Sequence, residues 1–171
     1  MKLKRFLSLL LVLCCLLTLL PMGALPVQAT EPEGTVFTNI GRHPVNRLKM
    51  AVVNPGAGKP AITDYKVLRH DASTNTSLVM CTLHTGRTHQ IRVHMLHLGH
   101  PLIGDPIYAH PQKQKARPGR LMLHAWRLAF KHPRNGQRIA IQSPIPPEYT
   151  PWLIGTELPE WAEAAHLRTC Q

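Results

Sequence analysis

Apolar positions fall at strand spacing through the first half of this chain, and polar breaks separate them. Residues 49–53 (KMAVV) predict a short strand, and residues 54–58 (NPGAG) a Pro/Gly turn after it. Residues 61–69 predict a second strand, in which Ile62, Asp64 and Lys66 alternate imperfectly with Thr63, Tyr65 and Val67. A polar loop at 70–75 leads to its hairpin partner at 76–83. The period then changes: Ile91, Met95 and Leu98 recur at i, i+4 and i+7, one buried stripe of a helix that starts near Arg87 or Thr88. Gly99 followed by His100-Pro101 is its stop signal. Residues 121–130 and 137–142 predict a last strand pair joined by the Asn135-Gly136 turn, with an extended Pro-rich segment at 143–147. Trp152 and Leu153 are expected on the core, and residues 158–167 as a short closing helix.

The first 29 residues form a separate unit. A basic start (Lys2, Lys4, Arg5) precedes a 15-residue apolar run at 6–20, and Val27-Gln28-Ala29 supplies a small-residue cleavage site. The run is shorter than the roughly 20 residues of a spanning helix, so an export signal is expected rather than a permanent membrane span. Three segments result: 1–29 signal-like, 30–155 a single domain, and 156–171 a C-terminal tail.

Charge narrows the partners. The formal net charge is +11, and 17 basic against 9 acidic side chains remain once residues 1–29 are set aside. Between His84 and Pro147 there are ten Lys/Arg and one acid, Asp105, and the loop 109–120 carries Lys113, Lys115, Arg117 and Arg120 with none. Such clustering is the electrostatic footprint of a nucleic-acid groove. Cysteine adds little: outside the leader only Cys81 and Cys170 remain, too few for a zinc motif or a disulfide framework.

The most densely specified stretch is 83–108, LHTGRTHQIRVHMLHLGHPLIGDPIY. Gly86 is free to turn, and the guanidinium of Arg87 is expected beside the helix start as an anion site. The quartet Gly56-Ala57-Gly58-Lys59 is no phosphate loop, because Pro60 stands where Ser or Thr is required. His94, His97 and His100 lie three residues apart, but the stop at Gly99 leaves two helical ligands at most, so no metal is expected.

The strings TGRTHQIRVH, GHPLIGDPIYA and LMLHAWRLAFKHP, with IGRHPVNRLKMAVVNPGAGKPAITDYKVL upstream, resemble the RluA-type RNA pseudouridine synthases in the family's order over about residues 34–153. The resemblance implies an α+β fold, a mixed, mainly antiparallel sheet with flanking helices, present here incompletely. It implies isomerisation of uridine to pseudouridine in rRNA or tRNA, without metal or cofactor. An aspartate in an Arg-Leu-Asp motif is the family's essential group, and this sequence has no such motif. Arg47-Leu48-Lys49 is a lookalike in a connecting segment, Asp64 and Asp71 belong to a strand and a loop, and Asp105 suits turn capping.

What the resemblance carries over is the supporting wall. Arg87 matches the arginine that pairs with the aspartate; Thr88, His89, Gln90 and Arg92 line the same wall, and Leu123 lies near the base. By their charge clustering, not by the resemblance, Lys113, Lys115, Arg117 and Arg120 are expected to meet RNA. Catalysis by this chain alone is not expected. The alternative is an exported basic protein that binds RNA or another polyanion without catalysis. Localisation is in conflict: RNA modification is cytoplasmic, whereas the leader predicts export.

Overall fold

The computed structural model describes residues 32–116 and 118–160. The expected leader and Arg117 lie outside the described residues. Strand β1 (Glu33–Arg42) pairs antiparallel with β2 (Met50–Val53) on one side and β3 (Lys59–Asp71) on the other, and β3 pairs with β4 (Thr76–Leu83). The sheet order is β2-β1-β3-β4, with a bulge in β3 between Val67 and Arg69. A separate antiparallel ribbon joins β5 (Arg127–Lys131) to β6 (Arg138–Gln142). Helix α1 (Gln90–His97) packs across the sheet, and a single helical turn, Thr150–Leu153, closes the described chain. The architecture is α+β with antiparallel sheets.

Alternation decides which face α1 covers. Val36 and Ile40 of β1, and Ala61, Thr63 and Tyr65 of β3, are all buried. Val93 and Met95 of α1 meet them: Val93 joins Ile40, Ala61 and Tyr108, while Met95 joins Val36 and Tyr65. Ile91 and Leu98 of the predicted stripe are only partly buried, at the margin of the second cluster. Burying an aliphatic side chain such as Val93 contributes roughly 1.5–3 kcal/mol.

Three elements differ from expectation. Strand β1 was not anticipated, because its inward positions Val36, Thr38 and Ile40 present two strong apolar signals with a threonine between them. The helix begins at Gln90, after His89, which adopts the left-handed conformation with φ 58°. A left-handed L-residue cannot continue a right-handed helix. The strand expected over 121–130 is confined to Arg127–Lys131. Residues 121–125 lack a strand partner because the opposing chain after Ser143 runs into Pro144, Pro146 and Pro147, which have no N–H to donate. Met122 N–H bonds to Ile103 O (2.9 Å) instead, and Ser143 N–H to Trp126 O (2.8 Å) closes the ribbon.

Trp152 is half-buried and its indole N–H donates to Thr76 Oγ1 (2.8 Å), so the closing turn is tied to β4. Residues 158–160 are irregular, and the remainder of the expected closing helix lies outside the described residues. No helix among the described residues is long and apolar enough to cross a membrane. The half-buried Cys81 thiol is pushed up to about 11 by burial, in keeping with an inert side chain.

Candidate nucleic-acid interface

The turn between β4 and α1 is built by Gln90. Its Nε2 donates to Ile62 O and to Thr63 Oγ1 (both 2.9 Å), and its Oε1 accepts from Thr85 Oγ1 (2.8 Å) and Arg87 N–H (2.9 Å). Thr85 Oγ1 accepts in turn from Ile62 N–H (2.9 Å). One buried amide, its own oxygen and nitrogen both satisfied, therefore clamps the whole Thr-Gly-Arg-Thr-His turn to the middle of β3. Gln90 is 3% exposed. It holds the turn in place and has almost no surface of its own to offer a ligand.

Arg87 is fixed by the same clamp. Its Nε donates to Pro60 O (2.9 Å), which directs the guanidinium along the start of β3. Its two Nη groups make no hydrogen bond or ion pair with any described residue, and the neighbouring Thr88 is exposed. A half-buried, oriented guanidinium with two unengaged N–H-bearing nitrogens suits a carboxylate or phosphate presenting two oxygens.

Arg92 was expected on the same wall and is not there. It is 9% exposed, and its Nε and Nη2 donate to Asp105 Oδ2 (2.8 Å) and Oδ1 (2.7 Å). Asp105 Oδ1 also accepts from the Ile107 and Tyr108 amides (2.9 and 3.0 Å), which is the turn-capping role expected of it. Burial alone would raise the Asp105 carboxyl, but the Arg92 and amide hydrogen bonds outweigh it and hold the group below the usual carboxylate range. Arg92 also lies over the Tyr108 ring, 4.8 Å from its centroid. The ion pair thus joins the helix to the Gly104–Tyr108 turn.

His94 is a satisfied core histidine. Because Thr63 Oγ1 accepts from Gln90, its proton is left for His94 Nδ1 (2.8 Å), and His94 Nε2–H donates to Thr38 Oγ1 (2.9 Å). Both ring nitrogens are occupied, in a residue with no exposure. Burial, and then the charge of His97, lower the pKa of His94. A histidine with a depressed folded pKa stabilises fully above its unfolded value near 6.5 and loses that contribution as pH falls through the folded value. Thermal melts of the full chain should therefore show stability declining below about pH 6.5. His94→Gln should flatten part of that decline; a wild-type minus variant difference that is constant with pH would contradict the assignment.

The basic loop is anchored beside this assembly. Gln114 Nε2 donates to Leu102 O (2.9 Å), its Oε1 accepts from Gly104 N–H (3.0 Å), and Lys113 and Lys115 project as exposed side chains. Gly104 has φ +70°, and a Cβ there would run into Arg120 O, so glycine is required for the loop to approach. Arg120 is exposed and 3.8 Å from Glu148, a weak surface pair. Leu123 is half-buried, and His124 beside it has a buried Nε2 with no partner among the described residues. With Asp105 neutralised by Arg92, nine cations between His84 and Pro147 have no acid among them. They include Arg127, stacked 3.6 Å over the Trp126 ring at the base of the β5–β6 ribbon.

The two remaining aspartates are committed. Asp64 accepts from Thr35 Oγ1 (2.7 Å) and pairs with His84 Nε2 (2.5 Å). Asp71 caps its own loop through Ser73 and Thr74, whose hydrogen bonds lower it to about 2.

Residues 26–97, ending with α1, match the family model described as RNA pseudouridylate synthase. The ribosomal large subunit pseudouridine synthase D of Nitrosomonas europaea is 48% identical over 129 residues, 72% of this chain. The chain is thus similar to the RNA pseudouridylate synthases. The protein of the same name from Pseudomonas aeruginosa is 45% identical over 144 residues, covering 77% of this chain and 43% of its own length. The chain spans only 36% of the Nitrosomonas relative. Among solved structures, human RNA Pseudouridylate Synthase Domain Containing 1 superposes with a TM-score of 0.58 at 34% identity, over 68% of this chain and 50% of the human one. The family-model match ends at His97, so the Asp105 turn and the β5–β6 ribbon lie beyond that model.

Proposed function

We propose that residues 30–155 are the RNA-holding part of a pseudouridine synthase catalytic domain, which binds uridine-containing rRNA or tRNA through Arg87, Thr88 and His89 and the cations of the 113–120 loop. The observation that carries this reading is Arg87, oriented by Pro60 O and the Gln90 clamp yet with both Nη groups unengaged among the described residues. Leu123 borders the base. The family's isomerisation detaches uracil from its ribose at nitrogen and rejoins it through carbon, with a carboxylate at the sugar and no metal or cofactor. Arg87 is suited to keep such a carboxylate ionised, and Asp64, Asp71 and Asp105 are each already engaged. The sequence as it stands therefore binds RNA without converting it.

RNA modification points to the cytoplasm, while residues 1–29 have the composition of an export signal. A second reading, an exported polyanion binder, draws on that leader and on the basic excess. The deciding experiment presents the full chain with a uridine stem-loop RNA carrying tritium at uracil C5, and with heparin as competitor. Saturable RNA binding without tritium release is expected, and heparin should compete only weakly. Tritium release would overturn the absence of catalysis, and equal affinity for heparin would favour the second reading.

A further inference from the structure

Tyr108 is 7% exposed, and its hydroxyl has two partners. Met50 N–H, which can only donate, lies 2.8 Å away; His89 Nδ1 lies 2.9 Å away. A phenol has one proton to give. If His89 Nδ1 carried a proton, the hydroxyl would receive two N–H groups and its own hydrogen would be buried without an acceptor. Placing the phenolic proton on the line to Nδ1 satisfies all three groups, so the imidazole proton belongs on Nε2. The rings meet edge to face, with centroids 5.5 Å apart and planes at 86°.

The surroundings favour the same state. The Arg92 guanidinium lies 4.8 Å and Lys49 Nζ 5.9 Å from the centre of the Tyr108 ring, and Asp105, the one acid at hand, is bound to Arg92. Burial and then Arg92 lower the pKa of His89, with Asp105 opposing more weakly. Nε2 makes no hydrogen bond with any described residue, and His89 is only half-buried. His89 also holds φ 58°, one of two non-glycine residues at positive φ among those described. A left-handed L-residue costs roughly 1–2 kcal/mol, and strain of this kind gathers where a side chain is held for use.

We infer that Tyr108 locks His89 as its neutral Nε2–H tautomer, and that this N–H is a fixed, uncharged donor to an acceptor oxygen of the nucleotide bound beside Arg87. Tyr108 is then a positioning residue acting through His89. The donor's role rests on the RNA reading above; the tautomer lock does not. The acceptor is either a uracil carbonyl or a phosphodiester oxygen.

Long-range ¹⁵N–¹H spectra of the full chain labelled at histidine nitrogen test the lock. At neutral pH, His89 should show an unprotonated Nδ1 and a protonated Nε2; Tyr108→Phe should give averaged tautomers and a higher titration midpoint. A proton on Nδ1, or spectra unchanged in Tyr108→Phe, would overturn it. Fluorescence anisotropy with a short uridine RNA tests the donor. His89→Ala should bind about threefold to tenfold more weakly, and His89→Gln, whose amide also donates, should recover most of the loss. Variants that bind as tightly as the wild type overturn the role. An abasic version of the RNA separates the acceptors: the His89→Ala loss vanishes there if the base carbonyl is read and persists if the phosphate is. Failure of every form to bind overturns the RNA reading and the donor's role together, with the lock still decided by the spectra.

Discussion

Asp105→Ala is expected to lower the unfolding free energy by about 3–5 kcal/mol, because it leaves the Arg92 guanidinium buried without its counter-charge. The carboxylate side chain has no exposure and that of Arg92 only 10%, so solvent cannot take over. The same substitution uncaps the Ile107 and Tyr108 amides and loosens Tyr108, on which Ile40, Ala61 and Val93 pack. Against a typical total of roughly 5–15 kcal/mol for a native domain, this is a large fraction. Urea unfolding followed by tryptophan fluorescence measures it. A loss below about 1 kcal/mol would mean that the pair contributes no more than a surface ion pair. Replacing both partners together, Arg92→Met with Asp105→Leu, should cost much less than either single change, since no lone charge is then buried. The pH dependence has a definite sign: with its folded pKa depressed, Asp105 stabilises fully above its unfolded value near 3.9, and that contribution is lost as pH falls through the lower folded value.

The residues that proved structural were the ones hardest to read from sequence. The hairpin β3–β4, the stop at Gly99 and the Asn-Gly ribbon turn were legible because each depends on local chemistry: alternation, or a backbone conformation that glycine permits. Gly86 does not use that freedom: it is not among the glycines at positive φ, and the turn there is held by Gln90 instead. The capping role of Asp105 was legible from local chemistry too. The burial of Gln90 and Arg92 was not, because their partners are 28 and 13 residues away and a sequence gives no measure of which polar side chain meets which. Both residue types are usually exposed, so exposure beside a basic helix start was the natural reading. Strand β1 was missed for a related reason: its signal resides in pairing with β3, and only two of its side chains, Val36 and Ile40, are fully covered. Arg87 could be singled out from its motif, but its availability could not, since that depends on Pro60 O capturing Nε and leaving the rest of the fork unused.

That division of labour within one turn sets the expected behaviour of Arg87→Ala. Removing a charge-assisted contact costs roughly 1.5–3 kcal/mol, so affinity for a uridine stem-loop RNA should fall by about tenfold to a hundredfold, measured by anisotropy at fixed salt. The slope of log affinity against log salt should shrink by about 0.7, the contribution of one phosphate contact on a single strand. Stability should change little, because Nε to Pro60 O is the one side-chain hydrogen bond lost among the described residues and it is exposed. Arg87→Lys separates charge from shape: a lysine keeps the salt slope but cannot grip two oxygens at once, so affinity should recover only in part. If Arg87→Ala binds RNA as the wild type does while Gln90→Ala does not, the clamp alone shapes the interface and the unengaged guanidinium is not what RNA meets. If both lose affinity but only Gln90→Ala loses stability, the turn works as its hydrogen bonds imply, with a buried amide to hold it and an oriented guanidinium to use it.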